Sequence, residues 1–170
     1  MSKPSATSHP VYFQKYIDLV PEEDLTAAFQ KQYAVVTAFL SDITEDQSNH
    51  TYAPGKWTIK ELMQHISDTE RIFAYRSLCF ARNEKASLPG FDENEYAAAS
   101  NAGNRTWKNL VEEFLLVRKS TEMLFQSFTE AALLNEGIAN NNNVTAMSMG
   151  FTSIGHVYHH INVLKEKYLQ

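Results

Sequence analysis

The stretch IGHVYHHINVLKEKY, residues 154–168, decides the fold. Ile154, Val157, Ile161, Leu164 and Tyr168 recur at steps of three and four, the spacing of one buried helix face. With Val157 set at zero, that stripe centres about 20° away, while His156 and His160 fall about 100° and 60° to one side. The two histidines therefore flank the core seam one turn apart, and their imidazoles can share an ion. His159 lies about 160° from Val157, almost opposite the core.

Working outward, three further segments carry the same periodicity. The first is expected to start near Pro21, with Glu22, Glu23 and Asp24 at the positive end of the helix dipole, and its stripe is Leu25, Phe29, Tyr33, Val36 and Leu40. The second begins with the capping-box pattern Thr58-x-x-Glu61 and buries Ile59, Leu62, Ile66, Phe73 and Phe80. The third runs from about Thr106 to Phe128 through Leu110, Phe114, Val117, Thr121 and Leu124. What separates the segments is turn-rich rather than strand-like, and residues 83–104 form a connection too long for a tight hairpin between adjacent helices. The pattern predicts an all-α fold, a four-helix bundle with long crossover connections. Residues 1–15 are expected to be a flexible N-terminal tail, and residues 16–170 the bundle domain.

On the second helix His65 lies about 100° from Ile66, on the same flank of its own stripe as His156 and His160. Three neutral imidazoles from two helices would leave a fourth position on a divalent ion for water or substrate, the coordination of a catalytic rather than a structural site. His65, His156 and His160 are thus the expected metal ligands. Val157 occupies the place where HExxH peptidases need their glutamate, and the paired E-x-x-H motifs of di-iron bundles are absent.

Composition narrows the partners. The formal net charge is -5 and no run of Lys and Arg forms a basic stripe, so nucleic acid is not an expected partner. No apolar stretch reaches the roughly 18 residues of a membrane span, and the opening MSKPSATSHP lacks the apolar core of a signal peptide. With Cys79 as its single cysteine the chain has no intramolecular disulfide, and a cytoplasmic location is expected.

Three blocks, YAPGKWTIKELMQHISDTERIFAYRSLCFARN (52–83), LPGFDENEY (88–96) and GHVYHHINVLKEKYL (155–169), occur in an order that resembles the DinB-like superfamily, which includes the YfiT-like metalloenzymes. The resemblance implies a four-helix bundle and a metal held by three histidines, here His65, His156 and His160. It also implies thiol-dependent transferases, isomerases or hydrolases as relatives. The expected function is accordingly a metal-dependent enzyme, a low-molecular-weight-thiol S-transferase or hydrolase acting on small electrophilic molecules. Its cofactor would be one divalent ion, zinc or nickel, with a low-molecular-weight thiol as co-substrate. The alternative is a non-catalytic metal-binding stress-response protein. Relatives of this kind often form dimers, so the resemblance also implies a homodimer.

Two further side chains are candidate catalytic residues. Arg76 falls on the flank of His65 three turns on, where it can hold an anionic group. Glu61, one turn before His65, can orient an imidazole, although the capping box already accounts for it. Trp57 is expected as a hydrophobic staple and Tyr158 as a packing residue. Cys79 lies too far along its helix for ligation, and Phe91 and Tyr96 are placed at a pocket mouth or as loop anchors.

Overall fold

The computed structural model describes residues 3–170. In chain order it contains α1 (Val11–Ile17), α2 (Leu25–Ser41), α3 (Glu45–Ser48), α4 (Ile59–Ala81), α5 (Glu93–Ala99), a 3-10 turn (Ala102–Asn104), α6 (Trp107–Gln126), α7 (Glu130–Leu134), β1 (Glu136–Ala139), β2 (Asn142–Thr145), α8 (Ala146–Val163) and a closing π-turn (Leu164–Tyr168). The four long helices start at side-chain caps: the Asp24, Thr58, Thr106 and Thr145 side chains accept from the amides of Ala27, Glu61, Asn109 and Ser148. Each satisfies a donor that the helix itself leaves orphaned. The expected capping box of Thr58 and Glu61 is present in full. The first long helix starts at Leu25 rather than Pro21, because the Asp24 carboxylate sets its boundary.

α4 packs against α6 and α8, and α2 packs against the same two helices. The order around the bundle is therefore α2, α6, α4, α8. Chain neighbours α2 and α4 sit on a diagonal, as do α6 and α8, so two connections cross between opposite corners. The long connection after α4 instead joins adjacent corners and carries α5, which packs against α4.

Two further expectations are corrected. Residues 11–15 belong to α1 rather than to a loose tail. Phe13, Ile17 and Val20 bury against α8, where Gly155 lets the chain approach so closely that a methyl there would collide with the backbone carbonyl of Tyr16. The second correction is the antiparallel hairpin of β1 and β2, which pairs Glu136 with Thr145 and Ala139 with Asn142. Its two-residue turn holds Asn140 and Asn141 at φ of 49° and 61°, a left-handed conformation that asparagine tolerates and that matches strand twist. Leu88 bridges to Ala139, tying the long connection to this hairpin.

α8 is the central helix. Every residue from Ala146 to Val157 is buried, so that half shows no amphipathic period. Ile154 belongs to one core cluster, with Phe29, Phe80 and Phe151, and Val157 to a second, with Leu40, Met63 and Phe114. His156 thus leaves the helix where the two clusters meet. Gln32, not the half-buried Tyr33, faces the core from α2 and donates its amide to the Ile154 carbonyl at 2.6 Å. Beside this seam Arg118 of α6 pairs with Glu70 of α4 at 2.9 Å, and Ser153 of α8 donates to the same carboxylate at 2.5 Å. Among the described residues no helix is long and apolar enough to cross a membrane.

Candidate metal centre

The two helices that carry the histidines are adjacent, which brings His65 to the pair on α8. Its Nε2 lies 3.2 Å from His156 Nε2, and His160 Nε2 lies 3.0 Å from the same atom. The three rings offer donor atoms all within 4.8 Å of one another. A single ion bound at 2.0–2.1 Å in tetrahedral geometry sets its nitrogens about 3.3 Å apart, so the spacing fits one divalent cation. The donor chemistry fits too. His156 Nε2 faces both neighbours, and one N–H cannot satisfy three converging nitrogens, whereas a cation accepts all their lone pairs.

Burial sets the protonation state. It pushes His65 from the ordinary 6.5 down to about 4, with the His159 charge adding to the effect. His156 and His160 are driven well below the usual histidine range, first by burial and then by the other imidazoles around them. All three are neutral near pH 7, the form that ligates metal. His159 stays outside, half-buried, with its ring 5.5 Å from that of Tyr16.

A cavity of about 300 Å³ opens beside the trio. α1 supplies Tyr12, Phe13 and Tyr16 to its wall, the second connection Trp57, α4 Thr69, Phe73 and Arg76, and the long connection Gly90, Phe91 and Glu93. Trp57, expected as a hydrophobic staple, is a half-buried wall residue whose ring stands 4.8 Å from that of His65, so it shapes the site. Arg76, expected on the flank of His65, lines the cavity. Glu61 does not: its carboxylate accepts from the Thr58 amide at 2.7 Å and the Thr58 hydroxyl at 2.9 Å, and it is committed to the helix cap. Phe91 lines the cavity, whereas Tyr96 packs against it at 5.1 Å and faces a neighbouring pocket. Tyr158 packs against the core, and Cys79 is half-buried away from the cavity. The wall from α1 was missed by sequence reasoning, because a helix of seven residues leaves only Phe13 and Ile17 as a periodic signal.

Known proteins agree with this architecture. The profile of the DinB superfamily matches residues 28–164. The chain belongs to the DinB superfamily. Within it, an inferred metal-dependent hydrolase of Geobacillus thermodenitrificans is 26% identical over 107 residues, 62% of this chain and 59% of that protein. A second inferred metal-dependent hydrolase, of Oceanobacillus iheyensis, is 26% identical over 58 residues, 34% of either chain. The chain thus spans little more than half the length of the first of these relatives and a third of the second. YfiT from Bacillus subtilis, described as a metal-dependent hydrolase by inference and as having an unusual four-helix-bundle topology, superposes with a TM-score of 0.73 at 15% identity, covering 96% of this chain and 90% of YfiT. A mycothiol-dependent maleylpyruvate isomerase superposes with a TM-score of 0.65 at 14% identity, covering 88% of this chain and 59% of the isomerase. At such identities the superpositions speak for the fold, which this DinB protein shares.

Proposed function

We propose that this DinB protein is a metal-dependent enzyme that transfers a low-molecular-weight thiol to small electrophilic molecules, with His65, His156 and His160 holding one zinc or nickel ion. The observation that carries the reading is the convergence of three neutral imidazole nitrogens on one wall of an open cavity. A divalent ion held there would lower the proton affinity of a thiol or a water and so supply a nucleophile at neutral pH. The chain's own residues do the rest. Tyr16, Trp57 and Phe73 surround the trio with ring surface that excludes bulk water and holds an apolar body against it. Among the described residues the one carboxylate on the cavity wall is Glu93, exposed at the start of α5. That scarcity of buried bases favours a thiol, which ionises far more readily than water. Hydrolysis is the second reading, supported by the names of the two sequence relatives.

The test is a rate measurement. Protein loaded with zinc or nickel is offered a panel of aryl halides, epoxides and esters, with and without cysteine-derived thiols, and thiol loss and ester cleavage are followed in parallel. Thiol loss that depends on metal and disappears in His160→Ala supports transfer. Metal-dependent ester cleavage without thiol moves the assignment to hydrolysis, and metal-loaded protein that accelerates neither reaction refutes an enzymatic role.

A further inference from the structure

Arg76 is a buried charge on the cavity wall for which the trio has no use. It is 6% exposed. Of its five N–H donors, Nη2 reaches the Pro89 carbonyl at 2.7 Å, and the buried Nε has no partner. No described carboxylate stands within ion-pair distance of it. The other buried arginine, Arg118, shows the usual arrangement, with Glu70 at 2.9 Å. An unpaired buried guanidinium is costly, and Arg76, on the wall between this cavity and the neighbouring pocket of Pro89 and Tyr96, is placed to bind an anion. Tyr12 does not fill that role: burial raises its phenol above the ordinary range, with the Arg76 charge opposing, so it is neutral at pH 7.

Position on the helix gives the shape of the ligand. His65, Thr69, Phe73 and Arg76, spaced by four, four and three, form one stripe of α4 along the cavity floor. The Cα atoms of its ends are about 16 Å apart along the axis, and the Arg76 side chain, leaning toward the helix N-terminus, shortens that span. Ring surface from Phe13, Tyr16, Phe73 and Phe91 lines the same cavity. Among the described residues that line this cavity Arg76 is the one guanidinium or ammonium group, so a monoanion is balanced there and a phosphate dianion is not. A planar carboxylate also matches the paired N–H groups of a guanidinium.

We propose that Arg76 is the anion-recognition residue of this cavity, and that its substrates are small carboxylates whose apolar or aromatic body separates the carboxylate from the reactive centre. The assignment rests on the reading of the trio as that centre, but binding at Arg76 does not require the metal. It is tested by calorimetric titration of chelated, metal-free protein with 4-phenylbutyrate and with its neutral amide. The acid should bind at least tenfold more tightly than the amide, and Arg76→Gln should lose that preference while taking up as much zinc as the parent. Equal binding of acid and amide by the parent, or no binding of either, overturns the proposal without recourse to any variant. So does an undiminished preference in Arg76→Gln. A parent that prefers the acid yet binds no zinc leaves Arg76 assigned and removes the metal-dependent function instead.

Discussion

Replacing Arg118 with Met would test the most concentrated electrostatic element of the fold. The guanidinium and the Glu70 carboxylate are 2% and 1% exposed and 2.9 Å apart. Arg118 also lies 5.3 Å from the Phe29 ring centroid and 5.7 Å from that of Phe114, contacts a Met can largely retain. What the substitution removes is the counter-charge, leaving Glu70 in the core with only the Ser153 hydroxyl as partner. Breaking a buried pair in this way costs about 3–5 kcal/mol. For a chain of this length about 1 kcal/mol moves Tm by roughly 2–4 °C, so a fall of about 6–20 °C is expected. The double variant Glu70→Leu/Arg118→Met should recover most of that loss, because it leaves no unpaired charge. Thermal and urea unfolding of chelated protein provide the assay, with metal removed so that ligand binding does not mask the change. A single variant within about 1 kcal/mol of the parent, or a double variant no better than the single, would refute the reasoning.

Gly155→Ala should push α1 off α8, since the added methyl meets the Tyr16 backbone; a loss of about 1–3 kcal/mol and a change in Trp57 fluorescence are expected, and unchanged unfolding curves would contradict the close packing. Metal uptake should vanish in His65→Ala, His156→Ala and His160→Ala but persist in His159→Ala, measured as bound metal per chain after reconstitution and gel filtration. The pH response follows from His65, which protonates near 4 in the fold and near 6.5 when unfolded. The unfolded chain therefore binds more protons between those values, so the contribution is present in full above about pH 6.5 and is lost as pH falls toward 4. For His65 alone the loss is on the order of 3 kcal/mol, and His156 and His160 act in the same direction. Urea midpoints of chelated protein that stay flat from pH 7 to 4.5 would count against three neutral buried imidazoles.

Much of the bundle was legible because its signals are local. Thr58 and Glu61 lie three residues apart and cap the same helix they start. The angular positions of His156, His160 and His159 follow from helix geometry alone, and the structure keeps the first two inward and the third outside. Ligand direction on each helix was therefore set by the chain itself. The signals that failed were those in which burial comes from all sides or from a distant partner. The first half of α8 shows no period because every face is covered. α1, at seven residues, is too short to be stable alone, and is helical because it lies against Gly155.

His65, His156 and His160, the turn of Asn140 and Asn141 and the boundaries of the capped helices were determined by residue type and spacing, since helical periodicity, capping and backbone strain act within a few residues. Tertiary structure alone decided that α4 and α8 are neighbours and α2 and α4 are not, that Arg118 finds Glu70, and that Trp57, Tyr16 and Arg76 share one cavity. Those outcomes depend on how long, non-local surfaces pack, and no local pattern records which of several apolar faces will meet.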